Sequence, residues 1–280
     1  MRRFTTSAVT ERPFLGSLLL AELVLGGALI AWPTSTAAGP AAAPSVYVAP
    51  VTPSDVANSR TLKDGRIVTL MPLGGADTTR LIERITPELN GAAEAVTAFW
   101  GEVWPRQVLI VAAGTDQDFL GMGGGTPDNA ATTTFQRILF APGAVSMGDQ
   151  ALRIVLRHEL FHYAARSETA ADAPRVLTEG VADFVGRPAE PRPGQVRAGE
   201  LARLPTDADF DGADAVRSLA YDRAWWFSRF VADEYGTPTL RRLYLAACGR
   251  DHADVDTAVR NTLGADMNQV LVAWRQWLSG

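Results

Sequence analysis

Five consecutive residues, His158-Glu159-Leu160-Phe161-His162, constrain this chain more than any other segment. On an α-helix, residues four apart lie on the same face, so the imidazoles of His158 and His162 can converge on one metal ion. Glu159 would then lie beside the open position of that metal, where it could take a proton from a bound water. The chain contains three histidines in all. The segment therefore predicts a catalytic metal site on a helix.

The residues before this motif predict that the helix is largely buried. Leu152, Val155, Leu156 and Leu160 recur at three- and four-residue spacing, which is typical of an amphipathic helix. Two histidines at this spacing also occur as an exposed polar stripe or as hydrogen-bonded core residues. A buried set of His and Glu side chains without a metal would be costly, which favours the metal site.

A second acidic motif follows in the segment 177–184. Glu179 and Asp183 are four residues apart, so they project from one face of a short helix. Glu179 could complete a His-His-Glu metal set, and Asp183 could accept the second ring N–H of His158. Such a pair alone usually lies on a solvated helix face. Its position shortly after the histidine motif, among apolar neighbours, favours the functional interpretation.

Together, the two motifs resemble those of the gluzincin metallopeptidases, the group that includes thermolysin and the aminopeptidases. The segment 177–184 is more similar still to the small bacterial peptidase MA-like proteins, which carry Leu-x-Glu-Gly-x-Ala-Asp/Glu-aromatic. The likeness extends to the apolar segment 137–142 and to the C-terminal segment 220–245, and spans roughly residues 60–280. Sixteen residues separate His162 from Glu179, fewer than in thermolysin-like enzymes.

The resemblance implies a mechanism. Zinc would be bound by His158, His162 and Glu179, and Glu159 would act as general base. A nearby donor would help to stabilise the oxyanion, and Tyr221 matches a tyrosine often found in the family. The alternative interpretation of Tyr221 is a core residue whose hydroxyl group is hydrogen-bonded locally. His252 is the other available donor, although its polar segment is more typical of a surface histidine.

The order of elements predicts an α+β fold, with a small zincin-like sheet, an active-site helix and a helical C-terminal part. Strands are expected at 67–71, 107–113 and 135–140, the last as the sheet edge along which an extended peptide binds. A helix is expected over 81–100. The glycine-rich segment 121–126 lacks the Lys-Ser/Thr of a phosphate-binding loop and is interpreted as a loop near the cleft.

Composition excludes some other classes of protein. The net charge is −5 and the pI about 5.3, so the chain lacks the basic surface of a nucleic-acid-binding protein. Cys248 is the sole cysteine, which excludes an intramolecular disulfide and a thiolate metal cluster. The oligomeric state cannot be inferred from the sequence.

The N-terminal segment predicts a location outside the cytoplasm. Arg2, Arg3 and Arg12 precede an apolar run over 14–32, as in a signal peptide or an N-terminal membrane anchor. Glu22 interrupts the run, and small residues at 36–38 would permit cleavage, so both alternatives stay open. We therefore divide the chain into a signal or anchor (1–32), an Ala/Pro-rich linker (33–59) and a metallopeptidase-like domain (60–280).

A different metal motif occurs at 207–212, where Asp-Ala-Asp-Phe-Asp-Gly matches the first half of a calcium-binding EF-hand loop. Position twelve of that loop would be Ser218 instead of the usual glutamate. An Asx-turn loop with a solvated acidic face is therefore the favoured interpretation of Asp207, Asp209 and Asp211, with calcium binding as the alternative.

Two functional hypotheses follow from the sequence. The first is an extracytoplasmic zinc peptidase that cleaves peptides or proteins. The second is a non-catalytic module that keeps the peptidase fold and binds peptides or cell-envelope partners. The presence of Glu159 together with all three proposed ligands favours the peptidase, because a binding module does not need a general base.

Overall fold

A computed structural model describes residues 21–23, 58–126 and 128–280. The sequence-based assignments of 1–32 and 33–59 lie outside these residues, apart from 21–23 and 58–59. Within the described residues, no helix has both the length and the apolar character needed to cross a membrane.

The described strands form one mixed sheet in the order β1-β5-β6-β4-β3-β2. β3, β4 and β6 run parallel, whereas β2 and β5 are antiparallel to their neighbours β3 and β6, and β1 pairs in parallel with β5. The strands are β1 (Ala21–Leu23), β2 (Asn58–Thr61), β3 (Ile67–Pro72), β4 (Gln107–Ala112), β5 (Ala131–Thr133) and β6 (Ile138–Phe140).

Helices account for most of the remaining structure, and those after β6 form the helical C-terminal part. This arrangement confirms the predicted α+β fold. The helices are α1 (Ala76–Ile85), α2 (Leu89–Trp100), α3 (Asp116–Gly121), α4 (Asp149–Ala165), α5 (Arg175–Gly186), α6 (Gly194–Leu201), α7 (Asp207–Phe210), α8 (Asp214–Tyr235), α9 (Thr237–Cys248), α10 (Val255–Leu263) and α11 (Met267–Ser279).

Two expectations about individual elements are wrong. The segment 135–140 does not supply an edge strand, because β6 pairs with β4 on one side and with β5 on the other. The single helix expected over 81–100 is divided into α1 and α2 by a 3-10 turn, Thr86–Glu88. Pro87 lies in that turn, where its missing N–H and fixed φ favour the start of a new helical segment.

Helix α4 is buried on nearly all sides, which places the histidine motif in the interior. Phe161 packs edge-to-face against Phe99, Trp100 and Tyr244, with ring centroids 5.5–5.8 Å apart. Such aromatic contacts stabilise by about 0.5–1.5 kcal/mol each beyond the burial of apolar area. They connect α4 with α2 and α9 and so fix the rotation of α4 about its axis. Cys248 is buried at the end of α9.

Helices α5 and α8 approach closely at Gly180. A Cβ atom on Gly180 would lie 2.5 Å from the carbonyl oxygen of Ala224 and 2.8 Å from Ser228 Oγ. Because the first contact is with backbone, α8 would have to move to make room. Gly180 follows Glu179 directly, so this close contact determines how near Glu179 and the rest of α5 lie to α8.

We predict that Gly180→Ala destabilises the protein by about 1–3 kcal/mol, the usual cost of overpacking a tight interface. The free energy of unfolding in denaturant measures this effect. Gly199→Ala is the matched control: Gly199 is exposed on α6, with open space around its Cα. The control should be neutral or stabilise by up to about 1 kcal/mol through helix propensity. Equal stability of the two variants would contradict the interpretation of Gly180.

Candidate metal centre

His158 and His162 lie one turn apart on α4 and point into the same buried space. Their Nε2 atoms are 3.0 Å apart, and their ring centroids are 4.7 Å apart. Both side chains are inaccessible to solvent. The helical spacing of the motif thus brings two nitrogen donors together, as the sequence predicts.

Glu179 reaches the same point from α5. Its Oε2 atom lies 3.2 Å from His158 Nε2 and 3.6 Å from His162 Nε2. This oxygen is buried and makes no hydrogen bond of good geometry within the described residues. Among those residues, His158, His162 and Glu179 are also the one group of three or more such donors that converges closely enough to hold a metal ion. A cation at this point would compensate the buried Glu179 Oε2, which makes no such hydrogen bond within the described residues.

Asp183 orients the first histidine. Its Oδ1 atom lies 2.9 Å from His158 Nδ1, so an Nδ1–H of His158 would donate to this carboxylate and leave Nε2 directed at Glu179. The carboxylate of Asp183 is itself paired with Arg187, whose Nη2 is 2.6 Å from Asp183 Oδ2. Arg187 Nη1 in turn donates to Asp222 Oδ1 on α8 at 2.8 Å. Asp183, Arg187 and Asp222 thus form a row of alternating charges next to His158, in which Asp183 is buried and the other two are partly buried.

These neighbours shift the pKa values of two ligand residues in opposite directions. Burial alone would lower the pKa of His158, but the neighbouring carboxylates of Asp183 and Glu179 outweigh burial and raise that pKa to about 10. Burial would raise the pKa of Glu179, but attraction to the two histidines outweighs burial and holds this pKa well below its usual range. The metal-free pocket therefore favours a protonated His158 beside an ionised Glu179.

Glu159 lies on the same helix and is fully buried. Its Oε2 atom accepts a hydrogen bond from Thr133 Oγ1 at 2.6 Å, whereas its Oε1 atom is buried without a partner in the described part of the chain. Burial raises the pKa of Glu159, and the attraction of His158 and His162 opposes this increase. A carboxylate with a raised pKa and one unengaged oxygen has the properties of a general base.

The two candidate oxyanion donors occupy different environments. Tyr221 on α8 is buried, with its ring centroid 6.5 Å from that of His158 and 5.1 Å from that of Phe210. His252 is partly exposed, and its Nε2 lies 3.3 Å from Asp172 Oδ1. Tyr221 is therefore placed next to a metal-ligand candidate, whereas His252 belongs to an ion pair at the protein surface.

A cavity of about 290 Å³ opens beside Glu179. The charged residues Asp172, Arg175 and Asp207 line the cavity together with Glu179. Arg175 Nη1 is 2.6 Å from Asp211 Oδ1. Of the three proposed metal ligands, Glu179 is the one that lines this cavity.

The acidic segment 207–212 differs from the loop that the sequence predicts. Residues 207–210 form α7, which begins with a capping box between Thr206 and Asp209. Asp207 Oδ1 accepts the backbone N–H of Arg175, and Asp211 pairs with the Arg175 guanidinium. All three aspartates of the motif are thus engaged by protein groups.

Thr133 and Arg187 are site residues that sequence reasoning missed. Arg187 stands four residues after Asp183, and this spacing is a recognisable signal for an ion pair on a helix. Thr133 lies in a three-residue strand, 26 positions before Glu159, and no local pattern connects the two. The contact depends entirely on how β5 packs against α4.

Comparison with solved structures identifies a related fold. Aminopeptidase A from Legionella pneumophila, in complex with aspartic acid, superposes with a TM-score of 0.51 and 17% sequence identity. The match covers 78% of this chain and 27% of the aminopeptidase chain. This chain has the fold of part of an aminopeptidase.

An M1 zinc metallopeptidase from Deinococcus radiodurans, as an E323A mutant, is a more distant match, with a TM-score of 0.47 and 16% identity. That match covers 80% of this chain and 51% of the metallopeptidase. The chain thus spans between a quarter and about half of the length of these two solved structures. No protein-family model and no curated protein matches the sequence.

The raised pKa of His158 predicts that metal binding depends on pH. Below about pH 10, both ring nitrogens of His158 carry a proton in the metal-free protein. A metal ion binds the neutral imidazole, so binding must release one of these protons. We expect the affinity for Zn²⁺ to rise with pH across the neutral range, by up to about tenfold per pH unit.

Titration calorimetry with Zn²⁺ in two buffers of different ionisation enthalpy measures the released proton. Asp183→Asn is the matched variant, because an amide stabilises the imidazolium less than a carboxylate does. It should release fewer protons and bind Zn²⁺ more weakly, by roughly 10- to 100-fold. An affinity that is independent of pH from about pH 6 to 8 would contradict this account of His158.

Proposed function

We propose that this protein is a zinc-dependent peptidase of the gluzincin type. The observation that carries this proposal is the position of Glu159. Its fully buried carboxylate stands on the same helix as two of three converging metal-donor candidates, with Oε1 unengaged among the described residues. A site that only bound a metal would have no need of this buried carboxylate, whose burial is costly.

The donor set fits zinc. Two imidazole nitrogens and one carboxylate oxygen are the three protein ligands of several zinc hydrolases, and they leave a fourth position open. At the usual bond lengths, ligand atoms around a tetrahedral Zn²⁺ are separated by roughly 3.3 Å. In this structure, His158 Nε2 lies 3.0 Å from His162 Nε2, and Glu179 Oε2 lies 3.2 and 3.6 Å from these two nitrogens. A zinc ion would therefore fit with only small adjustments of the side chains.

When bound, zinc would supply a Lewis acid that lowers the pKa of a water molecule and polarises a carbonyl group. Glu159 would take the proton of the attacking water at Oε1 and then deliver it to the leaving amine. Asp183 would hold the His158 ring in the tautomer that directs Nε2 at the site. Tyr221, next to His158, is our proposed donor to the developing oxyanion.

Peptide substrates agree with this chemistry and with the aminopeptidase fold. We infer that the domain acts outside the cytoplasm, either anchored by one N-terminal membrane segment or secreted. Support for this location comes from Arg2, Arg3 and Arg12 ahead of the apolar run at 14–32.

We predict that Glu159→Gln lowers peptide cleavage by roughly 10²- to 10⁴-fold, because an amide cannot accept the proton of the water. Zinc content should not change, since Glu159 is not one of the proposed ligands. The experiment incubates the zinc-loaded protein with a mixture of synthetic peptides and follows the products by mass spectrometry.

Glu168→Gln is the matched control, because Glu168 is an exposed glutamate just beyond the end of α4. It should cleave like the wild-type protein. Full activity of Glu159→Gln would rule out Glu159 as the base. A zinc-loaded wild-type protein that cleaves none of the peptides would instead favour the non-catalytic binding module.

A further inference from the structure

The hydroxyl of Thr133 makes the closest contact with the catalytic candidate Glu159. Thr133 is the last residue of β5 and is fully buried. Its Oγ1 atom lies 2.6 Å from Glu159 Oε2 and 2.9 Å from the backbone oxygen of Glu159. A hydroxyl carries one proton and can donate it to one of these acceptors at a time.

The carboxylate is the acceptor that needs this proton. The backbone oxygen of Glu159 lies inside α4, where the helical hydrogen bonds satisfy carbonyl groups. The carboxylate, in contrast, is fully buried, and its other oxygen has no partner among the described residues. Hydrogen bonds to a charged acceptor are shorter and stronger than neutral ones, in agreement with the separation of 2.6 Å.

Thr133 is also held rigidly. Its backbone pairs with Ile138 of β6 in antiparallel register, and β5 packs against α4. Because threonine is branched at Cβ, its χ1 angle is restricted as well. Glu159, in contrast, has three rotatable side-chain bonds, and holding them in one arrangement costs conformational entropy. A fixed donor on the neighbouring strand removes much of that freedom before substrate binds.

We propose that Thr133 is a positioning residue for Glu159. By donating to Oε2, it fixes the carboxylate and leaves Oε1 as the atom that takes up and returns the proton. The proposal rests on the peptidase function for its kinetic consequence, but not for its structural one. A purely structural role would require only the volume of the side chain, and valine provides nearly the same volume without the hydroxyl.

The test compares Thr133→Val with Thr133→Ser in the full-length, zinc-loaded protein. The substrate is a peptide that the wild-type protein cleaves from the synthetic mixture. Thr133→Val should lower kcat on the order of 10- to 100-fold, the effect expected when a catalytic group is misplaced by about 1 Å. KM and zinc content should stay close to wild type. Thr133→Ser retains the hydroxyl and should restore most of kcat.

Crystal structures of the zinc-loaded wild type and both variants give a readout that does not require cleavage. We expect the Glu159 carboxylate in one position in the wild type and in Thr133→Ser, and displaced or in several rotamers in Thr133→Val. If Thr133→Val does not fold, Thr133→Ala removes the same hydroxyl with less risk of strain.

Unchanged kcat in Thr133→Val, or an equal loss in Thr133→Val and Thr133→Ser, would overturn the proposal. An undisplaced Glu159 carboxylate in Thr133→Val would do the same. If the wild-type protein cleaves no peptide, the proposed function fails, and the crystal structures alone decide whether Thr133 positions Glu159.

Discussion

The burial of charge between α4 and α5 is the constraint on which the rest of the structure depends. His158, Glu159, His162, Glu179 and Asp183 are all buried. An ionisable group away from water is tolerated only if it is paired, hydrogen-bonded or bound to a metal. Arg187 and Thr133 supply part of this compensation. Among the described residues, the possible metal-donor atoms of His158, His162 and Glu179 converge on one point, where a cation would offset the buried charge of Glu179.

The surrounding packing keeps this arrangement in place. Phe161, between the two histidines in sequence, packs against aromatic residues of α2 and α9 and so orients α4. Gly180, directly after Glu179, allows α8 to approach α5. This approach brings Asp222 to Arg187 and Tyr221 to the His158 ring. The apolar core and the polar site are therefore positioned by the same helices.

The sequence predicted the parts of the site that depend on local periodicity. The pairs His158–His162 and Glu179–Asp183 each lie one helical turn apart, so their spacing alone indicated shared faces. The contact of Thr133 with Glu159 joins a three-residue strand to a distant helix, and no periodicity reports such a contact. Local sequence patterns also do not determine the order of the strands in the sheet. Residues 135–140 have the apolar character of a strand, but that character does not distinguish an edge position from a central one.

Zinc analysis of the purified full-length protein by mass spectrometry tests the central claim most directly. We predict about one tightly bound zinc per chain, and its loss in His162→Ala, because that variant has only two of the three proposed protein ligands. A protein that stays free of zinc under metal-replete conditions, or a His162→Ala variant that retains the metal, would contradict the assignment of His158, His162 and Glu179 as the zinc ligands.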